Sequence, residues 1–205
     1  LWELGKELVF LNIQLSVEEL RYQLTDAEVN YVVVAEEKMA ILAEITQVTT
    51  VAMQRSEQAA KLKLPNIDVY QPEMTASIMY TSGTTGKPKG VVQRFENHRA
   101  SALSTQENMQ LTAEDCWLCP VPIFHISGLS IIIRQLVLGC SVRLYAKFDA
   151  SAITADLVQG KGTIISVVAV MLKELLAGYP ASGYATVFKA MLLGGGPIAP
   201  KALEL

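Results

Sequence analysis

Apolar residues along the 205-residue chain fall into short continuous runs separated by stretches of helical periodicity. The runs at 7–12 (E-L-V-F-L-N), 30–35 (N-Y-V-V-V-A), 49–53, 76–80, 91–95, 116–121, 141–145, 163–168 and 189–193 read as strands. Those at 30–35 and 163–168 are β-branched and uninterrupted, the pattern of strands buried in a parallel sheet. Between them lie predicted helices at 17–24, 38–45, 98–109, 129–138, 150–159 and 170–177. Ser16 with Glu19 forms a capping box that opens the first, placing Val17, Leu20 and Leu24 on one face. Asp149 caps the fifth, with Ile153, Leu157 and Val158 directed inward. Residues 1–4 read as a helix end closed by Gly5. Strand, helix and strand over 7–35 predict a right-handed βαβ unit. Residues 55–63 are polar and fit a loop or an inserted helix, closed by Leu64-Pro65-Asn66. The alternation predicts an α/β fold of layered, mostly parallel sheets with flanking helices. Ligands in such sheets sit at the carboxyl ends of strands.

One interruption of this pattern carries chemistry. Between the strands at 76–80 and 91–95 stand Thr81, Ser82, Gly83, Thr84, Thr85, Gly86, Lys87, Pro88, Lys89 and Gly90. Glycines let backbone N–H groups converge, four hydroxyls add donors and two lysines add charge. This composition suits a polyphosphate, whereas a plain surface turn needs only one or two glycines. The spacing is not that of a Walker loop: two residues, not four, separate Gly83 from Gly86-Lys87, and Pro88 stands where Ser or Thr is required. Pro-Lys-Gly is also a poor helix start, so the phosphate would not rest on a helix N-terminus. A second glycine run, Gly194-Gly195-Gly196-Pro197, follows the strand at 189–193. Both loops are expected to share one strand edge.

Composition limits the alternatives. The chain is 51% apolar and 18% charged, with a mean hydropathy of +0.30, enough for a sizeable core. Surface covered by further protein would account for the excess, and a homo-oligomer is compatible with it. A net charge of -3 without a basic face argues against a nucleic-acid partner. Cys116, Cys119 and Cys140 are an odd set, suited to a reducing, cytoplasmic compartment. Cys116 and Cys119 have zinc-like spacing but lie in an apolar run without a second pair, so they read as buried strand thiols. The longest apolar run, 126–142, is broken by Arg134 and Gln135 and is no membrane span. The chain opens L-W-E-L-G-K without an initiating Met, as in a piece of something longer.

Two histidines and one arginine remain. His98, between Asn97 and Arg99, reads as a surface residue. His125 is pinned between prolines and Gly128 beside a strand end, and fits a structural or a functional role. Arg134 in an apolar helix requires an anion, either an acidic side chain or a substrate carboxylate.

The unbroken string at 81–90 resembles the phosphate-binding signature of the adenylate-forming superfamily, the acyl- and aryl-CoA synthetases and their relatives. V-P-I-F-H-I-S-G-L-S, the helix with Arg134, and M-L-L-G-G-G-P are similar to the o-succinylbenzoate–CoA ligase family of menaquinone biosynthesis. The resemblance implies ATP, Mg²⁺ and CoA as cofactors and co-substrate, and an aryl acid as the small-molecule partner. It implies nucleotide binding by Thr81, Ser82, Gly83, Thr84, Thr85, Gly86, Lys87 and Lys89, and by Gly194, Gly195, Gly196 and Pro197. Catalytic roles fall to Lys89, Thr85 and His125, and acid contacts to His125, Ser127, Ser130, Arg134 and Gly195. Thr85 is the one candidate for a metal contact. The family's aromatic-Gly-x-Thr-Glu motif, ribose-binding Asp, hinge and C-terminal domain with its catalytic Lys are not in this sequence. Residues 1–205 are therefore expected to form part of the N-terminal AMP-binding domain, inactive alone. Another acyl- or aryl-CoA synthetase, or a nucleotide-binding module without catalysis, are the alternatives.

Overall fold

A computed structural model of the chain describes residues 1–2, 5–12, 14–53, 71–81 and 86–196. The stretch 55–66 and residues 82–85 and 197, on which several expectations rest, lie outside the described residues. The chain forms two compact units, Leu1–Glu96 and Asn97–Leu205.

In the first unit, β1 (Leu8–Phe10), β4 (Thr75–Thr81) and β5 (Lys89–Arg94) make one sheet, and β2 (Tyr31–Ala35) with β3 (Thr49–Met53) another. Helix α1 (Val17–Asp26) starts where the sequence places it. The Ser16 hydroxyl accepts from the Glu19 N–H and the Glu19 carboxylate accepts from the Ser16 N–H. Its Leu20 and Leu24 pack with Val32, Leu42 and Ile45, with Val17 against them. Gly5 is left-handed (φ 64°), while residues 3 and 4 of the expected helix end lie outside the described residues. The βαβ expectation for 7–35 is not met: β1 pairs in parallel with β4, and β2 with β3, so these strands belong to different sheets. The parallel crossover is instead β2 to β3, through a 3₁₀ turn (Glu36–Lys38) and α2 (Met39–Leu42). Nor is β2 buried on both faces. Its apolar cluster covers only the Val32 side, leaving Tyr31 71% and Val33 47% exposed.

The second unit begins within α3 (Phe95–Met109). It continues as β6 (Cys116–Cys119), α4 (Ile126–Leu138), β7 (Ser141–Leu144), α5 (Ala150–Val158), β8 (Ile164–Val168), α6 (Ala169–Ala177) and β9 (Ala190–Gly194). All four strands are parallel, in the order β7-β6-β8-β9. Alternation sends Trp117, Cys119 and Ile164 to one face, against Ile131 of α4. Leu118, Ile165 and Val167 meet Ile153, Leu157 and Leu175 of α5 and α6 on the other. Val158 stands one helical step beyond the Leu157 stripe and is exposed rather than inward. His98 is likewise corrected: it is 4% exposed, because it lies one turn before buried Ala102 on the same face of α3. Burial lowers its pKa below the ordinary imidazole value.

Two buried aspartates tie this sheet together. Asp115 accepts hydrogen bonds from the Thr112 N–H (2.8 Å) and the Thr163 hydroxyl (2.8 Å) and pairs with Lys189 at 2.7 Å, joining the starts of β6, β8 and β9. Asp156 collects Arg143, Tyr145 and Lys161 beside the edge strand β7. All three cysteines are free, and none is exposed.

Candidate active-site elements in the two units

In the first unit, β4 and β5 are antiparallel, paired Tyr80 to Gly90 and Thr81 to Lys89. The hydroxyl- and glycine-rich segment therefore closes a hairpin, and a strand follows it. The absence of a P-loop helix after Lys87 agrees with the spacing argument. Gly86 adopts φ 92°, which L-residues rarely tolerate, and a Cβ there would meet nothing within 4 Å among the described residues. Lys87 and Lys89 are exposed; Lys89 is the first residue of β5, not a loop residue. Ser82, Gly83, Thr84 and Thr85 lie outside the described residues.

Helix α1 holds both limbs of this hairpin. The Tyr22 hydroxyl donates to the Pro88 carbonyl at 3.1 Å, and the Lys87 ammonium lies 5.6 Å from the Tyr22 ring centroid. On the other limb the Tyr80 hydroxyl is 2.6 Å from Asp26 Oδ2 and 3.1 Å from the Gln23 carbonyl. The two tyrosine rings meet edge to face, with centroids 6.3 Å apart. Burial and then the Asp26 carboxylate push the Tyr80 pKa far above its usual value, so it remains a donor. In sequence Tyr80 reads as a strand-forming apolar residue, and neither Tyr22 nor Asp26 stands out. Their one signal was spacing: Tyr22 and Asp26 are one turn apart on a helix face.

In the second unit, His125 and Gly194–Gly196 both follow carboxyl ends of parallel strands, β6 and β9, which flank β8. The loop after β6 leads to α4 on one face and that after β8 to α6 on the other, the arrangement that opens a ligand crevice. The hairpin belongs to a different sheet, so the two glycine loops do not share one sheet edge as expected.

His125 is the exposed N-cap residue of α4, in extended conformation, and its side chain makes no capping bond. Its ring lies 4.7 Å from that of Phe124. Gly128 makes this turn possible: a Cβ there would stand 2.3 Å from the Pro122 carbonyl oxygen. Gly195 has φ 85° and needs to be glycine, while a Cβ on Gly194 or Gly196 would meet nothing within 4 Å. Those two glycines serve no internal packing among the described residues.

Ser127 is exposed, and the Ser130 hydroxyl donates to its carbonyl at 3.2 Å. Arg134 donates to Ser130 Oγ and Thr105 Oγ1, each at 3.2 Å, and its guanidinium lies 4.7 Å from the Trp117 ring centroid. Trp117 in turn donates to Ser166 Oγ at 3.0 Å. Among the described residues no carboxylate lies within ion-pair distance of Arg134, so the acidic-side-chain alternative finds no support there. Burial works against its charge, and the indole face partly offsets this. Arg134 is eight residues into α4, about 12 Å from the helix start at 1.5 Å per residue. Sequence alone did not show that Thr105, Trp117 and Ser166 support it.

No group of three or more His, Cys, Asp or Glu among the described residues is placed to hold a metal ion. No described helix is long and apolar enough to cross a membrane.

An α/β fold of this kind, in which the hydroxyl- and glycine-rich segment joins two antiparallel strands and is followed by a strand rather than a helix, is that of the adenylate-forming enzymes. The chain belongs to the AMP-binding enzyme family, whose model matches residues 1–204. It is 60% identical, over 99% of its length, to the 2-succinylbenzoate–CoA ligase of Enterococcus faecalis, of which it spans 42%. It is also similar to o-succinylbenzoate coenzyme A synthetase (MenE) of Bacillus subtilis in complex with AMP, with 36% identity and a TM-score of 0.83 over 99% of this chain and 52% of that one. The same synthetase in complex with ATP and magnesium ion matches at 35% identity and TM-score 0.83, over 98% of this chain and 42% of that one. The chain thus spans about half or less of the length of these relatives.

Proposed function

We propose that residues 1–205 form part of the N-terminal AMP-binding domain of a cytoplasmic 2-succinylbenzoate–CoA ligase. The supporting observation is the 60% identity to the Enterococcus faecalis ligase over 99% of the chain, a span that takes in both the hairpin and the His125 segment. The three free cysteines suit the reducing compartment.

The reaction has two parts. A carboxylate oxygen of the acid attacks the α-phosphorus of ATP; that P–O bond forms as the bond to the β-phosphate oxygen breaks and pyrophosphate leaves. The CoA sulfur then attacks the acyl carbon of the mixed anhydride, AMP leaves with the bridging oxygen, and the thiol proton is released. Neither part requires a protein nucleophile; position and charge carry the catalysis. Lys89 and Lys87 supply positive charge to the leaving pyrophosphate, and Thr81 with Ser82, Gly83, Thr84, Thr85 and Gly86 lines its path. Mg²⁺ bound with the nucleotide would neutralise charge on the phosphates, and Thr85 is the one residue of this chain that would contact it. The described residues offer it no carboxylate cage. His125 and Ser127 border the acid, and Gly194, Gly195, Gly196 and Pro197 leave its backbone side and the adenine side open. A 2-succinylbenzoate molecule has two carboxylates, and only one is activated. Arg134, set back along α4 with Ser130, suits the other.

ATP–pyrophosphate exchange by the full-length protein with a panel of acids tests this reading. Exchange should be fastest with 2-succinylbenzoate. Exchange only with benzoate or fatty acids would make the protein a different CoA synthetase, and none with any acid would leave a nucleotide-binding module.

A further inference from the structure

The contacts of α1 with the hairpin are more than core packing. Tyr22 reaches across to a main-chain carbonyl, that of Pro88, one residue before Lys89. Its ring faces the ammonium of Lys87. Tyr80, the pairing partner of Gly90, reaches Asp26 one helical turn further along α1. Gly90 leaves room for this: a Cβ there would stand 3.2 Å from the Tyr80 ring, tighter than ordinary contact. Each limb of the hairpin is thus bonded by its own tyrosine hydroxyl to the helix. The limbs carry Thr81 and Lys89, directly paired. A two-stranded hairpin end is weakly ordered unless something external fixes it, and a charge that must meet a phosphate oxygen is effective only when held in place.

We propose that Tyr22, Asp26 and Tyr80 are positioning residues that brace the hairpin, so that Lys87 and Lys89 are held for the β- and γ-phosphates of ATP. None of the three is assigned a contact with the nucleotide. The inference rests on the hairpin's reading as a phosphate loop and not on the identity of the acid.

The test compares ATP with AMP, which lacks the β- and γ-phosphates. Affinities of both, with Mg²⁺ present, are measured by calorimetric titration of the full-length protein and of Tyr22→Phe, Tyr22→Leu, Asp26→Ala and Asp26→Asn. Tyr22→Phe keeps the ring under Lys87 and loses only the Pro88 bond; Asp26→Asn keeps an acceptor for Tyr80. One lost hydrogen bond predicts ATP binding weakened roughly threefold to tenfold in Asp26→Ala and Tyr22→Phe, and more in Tyr22→Leu. AMP binding should stay within about twofold of wild type, and Asp26→Asn should restore most of the ATP affinity. Thioester formation from supplied acyl-adenylate and CoA should be unchanged, since no pyrophosphate takes part. Parallel loss of ATP and AMP binding would reduce the contacts to ordinary packing and overturn the proposal. So would unchanged ATP affinity in Tyr22→Leu and Asp26→Ala, or a wild-type protein that binds ATP no more tightly than AMP. Failure of the acid assignment would appear instead as absent exchange with 2-succinylbenzoate, and would leave these affinities standing.

Discussion

Lys89 begins β5, exposed, with Thr81 opposite and no acidic partner among the described residues. An exposed cation of this kind adds almost nothing to stability, so Lys89→Ala should move unfolding by less than about 0.5 kcal/mol. Loss of one preorganised charge at the leaving group should lower ATP–pyrophosphate exchange on the order of 10²-fold in the full-length enzyme. Near-normal exchange would remove Lys89 from the mechanism. Arg134 makes the opposite kind of residue: half-buried, stacked on Trp117 and, among the described residues, bonded only to hydroxyls. A charge-assisted bond to the second carboxylate contributes about 1.5–3 kcal/mol, so Arg134→Met should raise KM for 2-succinylbenzoate roughly 10- to 100-fold. A benzoic acid without the succinyl carboxylate should bind both forms alike. Trp117 fluorescence offers a second readout, because the acid would bind beside its guanidinium neighbour. Equal KM changes for both acids would return Arg134 to a structural role.

At the scale of elements, the sequence reading succeeds where the signal is local and fails where it is not. The Ser16 capping box, the Asp149 cap, most helix faces and the strands of the second unit are legible because periodicity and caps are written within ten residues. Partnership was not legible. An apolar run tells which face of a strand is covered, not which strand lies beside it, so β1 was paired with the wrong neighbour. His98 was misplaced because its polar neighbours in sequence point elsewhere on the helix, while its true neighbour, Ala102, is one turn away. The hairpin loop was legible from composition, but the α1 brace was not, since Tyr22 and Pro88 are distant in sequence. The β6–α4 turn shows how strictly one glycine can fix an element. A methyl on Gly128 would meet the Pro122 carbonyl, backbone against backbone, with no flexible side chain to yield. Gly128→Ala should therefore destabilise the full-length protein by about 1–3 kcal/mol, read as a lowered urea midpoint at unchanged slope. It should also displace His125. A stability equal to wild type would mean the turn can open without cost.

For the second unit as a whole, buried titratable groups make stability depend on pH in two stages. Burial holds the His98 imidazole below its ordinary value. The folded form thus binds fewer protons than the unfolded one below about pH 6.5, and stability declines from there. Burial would raise Asp115, but bonds from Lys189, the Thr112 N–H and Thr163 outweigh it and hold the carboxyl below its usual range. The same balance, through Tyr145, Lys161 and Arg143, lowers Asp156. A depressed carboxyl stabilises fully above the unfolded value of about 3.9, and that contribution is lost as pH falls through the folded value. Asp115 joins the starts of three of the four strands, so its protonation loosens the sheet rather than one loop. Urea midpoints of the full-length protein should therefore fall gently from about pH 6.5 and steeply below about pH 4. Asp115→Asn should lower the midpoint at neutral pH, since the amide cannot pair with Lys189, and should flatten the steep stage while leaving the gentle one. His98→Gln should do the reverse. A steep stage as large in Asp115→Asn as in wild type would show that the strand starts are held by packing alone.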